Sequence, residues 1–181
     1  MQIYLRPITL ADGALIVKWR NSFQVADHCF NKTPVTLKSN ENFYHAFVET
    51  GKYRQFIVER IEEEFGTASY SIATVYLKDI DNVNKRCELC IFTSDDEEWN
   101  TDSQRIAIQM LLEIAFNEYS MHKVYSYVFT RHEDEVELLQ RSGFQKEALL
   151  LQEAVTLQGE YADVIRMRVL KEDYEKMYGN R

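Results

Sequence analysis

The sequence predicts a mixed α/β (α+β) fold, because patterns typical of strands and of helices alternate along the chain. Apolar and polar residues alternate with a period of two over Gln55–Arg60, Ala68–Leu77 and Arg86–Thr93, which indicates three strands. Turn-forming residues separate these stretches, so we expect an antiparallel meander. An apolar stripe with helical spacing follows over Ile106–Phe116, and Val124–Phe129 is predicted as another buried strand.

The N-terminal region is predicted to contain one strand followed by helices. Gln2–Arg6 has a strand pattern, and Leu10–Trp19 has the apolar spacing of a helix. The stretch that ends at Pro34 has no clear period and is interpreted as a helical flap. Thr36 or Ser39 can then cap a second helix, because hydroxyl side chains accept hydrogen bonds from the free amides at a helix start.

The C-terminal region is predicted to form a helix, a β-hairpin and a short final helix. Glu133–Arg141 has helical spacing, and Gly143 suits the left-handed position just past a helix end. Lys146–Val155 and Glu160–Leu170 have strand patterns and should pair as a hairpin, and Glu172–Tyr178 is predicted to be helical. No repeat or linker interrupts the chain, so residues 1–181 are predicted to form one domain.

Composition indicates a globular protein of the cytoplasm. Apolar residues make up 45% and charged residues 28% of the chain, which is a balance typical of folded proteins. The formal net charge of −8 argues against nucleic acid as a partner, because phosphate neutralisation requires clustered Lys and Arg. The N-terminal residues lack a signal-peptide pattern, and no apolar stretch is long enough to cross a bilayer, so we expect no membrane partner.

The cysteines predict neither a disulfide framework nor a metal site. Cys29, Cys87 and Cys90 are an odd number in a chain without a signal peptide. Cys87 and Cys90 spell C-x-x-C, but residues three apart in a strand point to opposite faces of the sheet. Their sulfur atoms should therefore diverge, and we predict no metal ligands.

Short stretches distributed over nearly the whole chain share their order and spacing with one known family. The stretches are Ile3-Tyr4-Leu5-Arg6-Pro7, Lys18-Trp19-Arg20-Asn21, Glu88-Leu89-Cys90-Ile91-Phe92, Trp99 with Ile106-Ala107-Ile108-Gln109-Met110-Leu111-Leu112, Ala115-Phe116-Asn117-Glu118, His122-Lys123-Val124-Tyr125, Ser142-Gly143-Phe144 and Tyr161-Ala162-Asp163-Val164-Ile165. Together they resemble the GNAT superfamily of acyl-CoA-dependent N-acyltransferases, in particular its ribosomal-protein and amino-sugar acetyltransferases. The resemblance implies a mixed central sheet of about six to seven strands flanked by helices, with acetyl-CoA as the co-substrate.

The resemblance also implies which residues contact acetyl-CoA. In such enzymes a strand lends backbone groups to the pantetheine arm, and the start of the next helix binds the diphosphate. The implied contacts are Cys90, Ile91, Phe92, Thr93, Trp99, Asn100, Thr101, Ser103, Gln104 and Arg105. A plain core strand followed by an ordinary capped helix predicts the same residues, so the structural interpretation stays open.

The resemblance implies Glu88 as a catalytic base and leaves His132 as a candidate acid. Apolar neighbours could raise the pKa of Glu88 toward a useful range, and the alternative is an exposed strand glutamate. His132 could protonate a leaving thiolate if it reached the sulfur, although a histidine at a helix start is also typical of a cap. Trp19, Arg20 and Asn21, together with the flap, are expected to shape the acceptor pocket.

Four positions depart from the family pattern. Asp102 and Gln104 stand where the phosphate loop has small residues, whose missing side chain lets backbone amides approach the diphosphate. Asp102 also brings a negative charge to an anion site. His132 and Leu139 replace an asparagine and a tyrosine, and leucine cannot donate a proton.

Two functional interpretations therefore stay open. In the first, the chain is an N-acetyltransferase that moves an acetyl group from acetyl-CoA to a primary amine of a small molecule or a peptide N-terminus. In the second, a catalytically inactive GNAT fold binds a ligand or a protein partner. We also expect a homodimer formed through the C-terminal strands.

Overall fold

The computed structural model describes residues 2–62 and 68–179, and its central feature is one seven-stranded mixed sheet. The strands are β1 (Gln2–Pro7), β2 (Arg54–Glu62), β3 (Ala68–Asp81), β4 (Arg86–Cys90), β5 (Lys123–Phe129), β6 (Gln145–Val155) and β7 (Tyr161–Leu170). Their order across the sheet is β1-β2-β3-β4-β5-β7-β6. The β4–β5 pair is parallel and the other neighbouring pairs are antiparallel. The predicted α/β fold with a sheet flanked by helices is confirmed.

Six α-helices connect and flank these strands in the described part of the chain. They are α1 (Gly13–Arg20), α2 (Phe23–His28), α3 (Leu37–Phe43), α4 (Thr101–Glu113), α5 (Glu133–Arg141) and α6 (Lys171–Tyr178). A short 3-10 turn precedes α1, and π-helical turns extend α3 and α4. None of the helices in the described ranges combines the length and the apolar character needed to cross a bilayer.

Several element boundaries differ from the predicted ones for local reasons. Helix α4 begins at Thr101 rather than Ile106, because the Asn100 side chain caps its first turn. Strand β4 ends at Cys90 rather than Thr93, and the Thr93 amide instead donates a hydrogen bond to the Ile91 carbonyl over 3.1 Å. That turn bends the backbone away from the sheet. The predicted helix α5 is confirmed over its full range.

The main core lies between the sheet and α4. Ala107, Ile108 and Leu111 of α4 are fully buried and pack in one cluster with Cys87 and Leu89 of β4. One face of β4 therefore belongs to this core, and its other face is left for different contacts. The sulfur of Cys87 lies in the core, whereas Cys90 lines a cavity on the opposite face.

An ion-pair network fixes β1 to β2 and to the turn before α1. The Arg6 guanidinium donates to both carboxylate oxygens of Asp12 over 3.0 and 2.9 Å, and its Nη2 also donates to Glu59 over 3.1 Å. Asp12 additionally accepts hydrogen bonds from the amide and hydroxyl of Thr9. Burial alone would raise the pKa of Asp12, but the hydrogen bonds from Arg6 and Thr9 outweigh burial and lower it.

We expect Asp12→Ala to lower the free energy of unfolding at neutral pH by about 3 kcal/mol, because it leaves Arg6 without its bidentate partner. Asp12 has a lowered pKa in the folded state, so its contribution is present above the ordinary pKa of 3.8 and is lost as the pH falls. Urea unfolding at neutral and acidic pH measures both effects. The exposed Asp95→Ala is the matched control, and an equal loss in both variants would contradict the prediction.

Candidate active site

The site begins where β4 and β5 stop pairing. Their parallel register has three residue pairs, Arg86↔Lys123, Cys87↔Val124 and Glu88↔Tyr125, and the strands pair no further within the described chain. Beyond Glu88 the two strands diverge, so the edge of Leu89–Thr93 that faces β5 has no ladder with that strand. Unpaired backbone amides and carbonyls at such a gap can bind an extended ligand.

A cavity of about 420 Å³ opens at this divergence and is called the central cavity below. Its walls come from β3, β4, β5, the flap between α1 and α3, and the start of α5. The side chains that matter most for its chemistry are Arg20, His28, Tyr53, Tyr76, Lys78, Glu88, Cys90, Tyr127 and Glu135. A cavity of this size suits a small-molecule ligand.

Glu88 is buried in the wall of the central cavity. It is 6% exposed, and its Oε1 lies 3.2 Å from Lys78 Nζ and accepts a contact of 3.3 Å from the Cys90 thiol. Burial raises the pKa of Glu88, although Lys78 and the Cys90 contact oppose the increase. A carboxylate that is buried, faces a cavity and has a raised pKa is suited to accept a proton near neutral pH.

A stacked aromatic cluster joins the flap to α5. The His28 ring lies 4.9 Å from the Phe92 ring and 3.7 Å from the His132 ring, and both pairs are nearly parallel. His28 Nδ1 is 2.8 Å from the Oε2 of Glu135, a buried carboxyl group. Burial lowers the pKa of His28 and raises that of Glu135 well above its usual value, so both groups favour their neutral forms. Asp27 adds an ion pair with Arg131 across the same junction.

A second cleft of about 340 Å³ lies at the N-terminus of α4 and is called the α4 cleft below. Trp99, Asn100, Thr101 and Gln104 line it, as do His28 and Phe92, which also line the central cavity. The stacked rings of His28 and Phe92 therefore lie between the two spaces. None of the described residues that line the α4 cleft is a lysine or arginine.

The first turn of α4 is already capped by the protein itself. Asn100 Oδ1 accepts hydrogen bonds from the amides of Asp102 and Ser103 over 3.1 and 3.3 Å. Gln104 Nε2 donates to the Trp99 carbonyl over 3.1 Å, so its side chain crosses the helix start. Two amides that could bind a phosphate are therefore engaged, which agrees with the capping alternative for this stretch.

The structure brings most of the predicted cofactor contacts to these two spaces. Cys90, Ile91, Phe92 and Thr93 line the central cavity, whereas Trp99, Asn100, Thr101 and Gln104 line the α4 cleft. Two predicted contacts line neither space. Ser103 is fully buried and donates to the carbonyls of Glu98 and Asn100, and Arg105 is exposed on the surface.

The predicted acceptor residues have three different placements. Arg20 lines the central cavity. Trp19 is 1% exposed and packs in a small separate core with Ile16, and it does not reach the cavity. Asn21 forms two hydrogen bonds with the backbone of Val35 over 2.7 and 2.8 Å, which hold the flap in place. Trp19 and Asn21 therefore contribute to the structure around the cavity and do not line it.

His132 does not line either space, because the His28 ring covers it. It is the residue before α5, and its Nε2 lies 3.6 Å from Asp27 Oδ2. Leu139 is fully buried in the main core. In this arrangement His132 contacts the flap through His28 and Asp27. Leu139, at the position where the family pattern has a tyrosine, packs in the core.

Several cavity residues are not found by sequence reasoning. Tyr53, Tyr76 and Tyr127 present side chains to the central cavity, and Lys78 pairs with Glu88 there. Burial raises the pKa of Tyr76 well above its usual value, so its hydroxyl keeps its proton. The alternation of β3 places Tyr76 and Lys78 on one face, but only the register Lys78↔Glu88 reveals which face meets the carboxylate.

The fold, the divergent β4–β5 pair and the buried carboxylate at its end define an acetyltransferase of the GNAT class. Residues 2–145 match the family model described as an acetyltransferase (GNAT) domain, and the chain belongs to this family. The predicted enzyme class is thereby confirmed.

The known proteins that this chain is similar to include polyamine acetyltransferases. Spermidine N(1)-acetyltransferase of Escherichia coli K12 is 23% identical over 172 residues, which cover 95% of this chain and 88% of that protein. The crystal structure of spermidine N-acetyltransferase from Vibrio cholerae in complex with CoA and spermine is 25% identical. Its TM-score is 0.86, with 96% of this chain and 98% of that chain covered. The predicted branch of ribosomal-protein and amino-sugar acetyltransferases is not confirmed.

We expect Glu135→Ala to lower the free energy of unfolding by about 3 kcal/mol, because it leaves His28 without its buried partner and opens a cavity beside it. Glu135→Gln keeps the shape and one hydrogen bond, and should cost about 1 kcal/mol. Denaturant unfolding at neutral pH measures both values. Glu137→Ala on the exposed face of α5 is the control, and a cost for Glu135→Ala no larger than that of the control would contradict the predicted role.

Proposed function

We propose that this protein transfers the acetyl group of acetyl-CoA to a primary amine of a small molecule or a peptide N-terminus. The observation that carries the proposal is Glu88, a buried carboxylate that faces a ligand-sized cavity at the point where β4 and β5 separate. Membership of the acetyltransferase family and the similarity to polyamine acetyltransferases support it.

The gap between β4 and β5 fits the pantetheine arm of acetyl-CoA. The buried polar atoms without a hydrogen-bond partner among the described residues include Thr93 Oγ1, at the end of this gap, and Trp99 Nε1, at the start of α4. Thr93 lines the central cavity and Trp99 lines the α4 cleft, so a ligand that passes from one space to the other could satisfy both. The similar Vibrio cholerae enzyme was crystallised with CoA.

Bound acetyl-CoA supplies an activated acetyl group, and the protein must supply proton transfer and position. Glu88 accepts the proton that the acceptor amine loses, directly or through one water, because its raised pKa places it nearer neutrality. Tyr53, Tyr76 and Tyr127 line the same cavity, and their hydroxyl groups are candidates to protonate the leaving thiolate. His132 lines neither space, so we assign it to support of the flap.

The non-enzymatic alternative is not favoured. It rests on the altered phosphate loop and on His132 and Leu139, which replace the asparagine and the tyrosine of the family pattern. The loop changes affect the affinity for the diphosphate, and neither they nor the two replacements remove the carboxylate in the central cavity. Asp102 is exposed, and Asn100 occupies two amides of the first turn of α4. We propose that this loop weakens acetyl-CoA binding without removing it.

The homodimer stays a prediction. Strand β6 is one of the two edge strands of the described sheet, and its residues Leu149 and Leu151 are 56% and 71% exposed. An exposed apolar edge strand is a template for pairing with a second copy of the same strand.

Glu88→Gln should lower kcat for acetyl transfer by about a hundredfold, because a general base typically contributes a factor of this order. Acetyl-CoA should bind the variant as it binds the native protein, because its contacts there are with backbone groups. In the native protein the rate should fall as the pH is lowered through the pKa of Glu88, which lies above 4.5, and the variant should lack this limb. Release of CoA from pH 5 to 9, together with calorimetric titration, measures both properties.

The exposed Glu137→Gln on α5 is the matched control, since it removes a carboxylate without touching the cavity. Unchanged turnover in Glu88→Gln would remove Glu88 from the role of base. A failure of acetyl-CoA to stabilise the native protein at millimolar concentration would contradict the proposed function itself.

The double variant Asp102→Gly with Gln104→Gly should bind acetyl-CoA about tenfold more tightly. It removes a negative charge and a side chain that crosses the helix start, and it leaves the Asn100 cap in place, so the diphosphate can approach the positive end of α4 and the amide that Asn100 does not engage. Calorimetric titration gives the dissociation constants. Asp102→Asn separates the effect of charge from that of size, and an unchanged affinity in the double variant would mean that the diphosphate does not bind at this helix end.

A further inference from the structure

Most of the charged side chains that line the central cavity have a partner within ion-pair distance among the described residues, and one does not. Lys78 and Glu88 form an ion pair at 3.2 Å, and Glu135 is bonded to His28 at 2.8 Å. Arg20 is the cavity residue whose charge has no carboxylate within ion-pair distance in the described chain. The cavity therefore carries one uncompensated positive charge and no free negative one.

Arg20 is held with its guanidinium at the cavity wall. It is the last residue of α1, it is half-buried, and its Nη1 donates a hydrogen bond to the thiol of Cys29. A guanidinium has five N–H donors in a planar fork, and a thiol is only a weak acceptor. Most of the donor capacity of Arg20 is thus left for a ligand, and its geometry matches an oxyanion.

A polycationic acceptor fits these charges poorly. The amine that reacts must be neutral, so any further ammonium group of a polyamine would enter a cavity that already contains Arg20. Like charges in one cavity repel each other, and more strongly than in water, because the effective dielectric constant near a protein wall is lower. A carboxylate or phosphate beside Arg20 would be attracted instead, less the cost of its desolvation.

We propose that the acceptor is an amine that also carries a carboxylate or phosphate group, and that Arg20 binds this oxyanion. The proposal rests on the proposed acetyl transfer in the same cavity and names the class of its acceptor. It distinguishes this chain from the similar spermidine acetyltransferases, with which it shares about a quarter of its residues. Arg20 is then a specificity residue, whereas Glu88 remains the base.

Matched amines test the proposal directly. 4-Aminobutanoate and 1,4-diaminobutane differ only in the group at the far end, and aminoethyl phosphate compared with ethanolamine provides the phosphate arm. We expect the carboxylate or phosphate member to be acetylated with the higher kcat/KM and to raise the melting temperature more in the presence of CoA. The pair of amines with the larger difference in kcat/KM identifies the oxyanion as a carboxylate or a phosphate. Spermidine is measured in the same assay.

Arg20→Gln should raise KM for the preferred oxyanion amine by about tenfold or more, and should leave KM for 1,4-diaminobutane unchanged or lower. Arg20→Lys keeps the charge and should restore part of the preference. The exposed Arg141→Gln, which removes a guanidinium outside the cavity, should leave the preference unchanged. The melting temperature of each variant without ligand verifies that it is folded.

The proposal is overturned if spermidine or 1,4-diaminobutane is preferred, or if Arg20→Gln affects the oxyanion and cationic amines equally. It is also overturned if neither oxyanion amine is acetylated or raises the melting temperature. These results differ from failure of the proposed function, which would appear as the absence of acetyl-CoA binding and of transfer to every amine tested, spermidine included.

Discussion

The early end of the parallel ladder between β4 and β5 is the constraint on which the rest of this structure depends. The strands separate after Glu88↔Tyr125, and the turn at Ile91–Thr93 bends the backbone of β4 out of the sheet. A sheet that opens in its middle leaves backbone groups without partners. Those groups, and the side chain of Glu88 at the last pair, become available to a ligand.

The flap between α1 and α3 forms one wall of the site at this gap. Asp27 pairs with Arg131, and His28 contacts Glu135, so the end of α2 is attached to the start of α5. The same attachment places the stacked rings of His28 and Phe92 between the central cavity and the α4 cleft. These contacts hold the flap against α5, and the flap supplies part of the cavity wall.

Local sequence patterns predict the elements whose signals lie within the element itself. Helix α5 and its end at Gly143, which has a φ of 96°, follow from apolar spacing and from the conformational freedom of glycine. The family resemblance also predicts that Glu88 belongs to the site. A resemblance depends on the order of motifs along the chain and does not require knowledge of contacts. The branch of the family is not predictable in this way, because the quoted stretches lie mostly on the scaffold that the branches share.

Trp19, Asn21 and His132 show why the remaining roles are not readable from the sequence. Trp19 and Asn21 lie on either side of Arg20, which does line the central cavity, and His132 precedes α5, whose Glu135 lines it. A shift of one position along a helix changes the direction of the side chain, so it can separate a cavity wall from a core. Glu135 carries no motif, yet it is buried against His28, a residue 107 positions away in the chain. Contacts of this kind depend on how distant elements pack.

The sequence by itself determined the α/β fold, the order of most strands and helices along the chain, and the family. Periodicity and motif order can be read along the chain, so they do not require the tertiary structure. Only the tertiary structure decided that Arg20 lines the cavity without an ion-pair partner among the described residues while Trp19 is buried, and that Glu135 is bonded to His28. Burial and charge pairing arise between segments far apart in the chain, so they are fixed only when those segments meet.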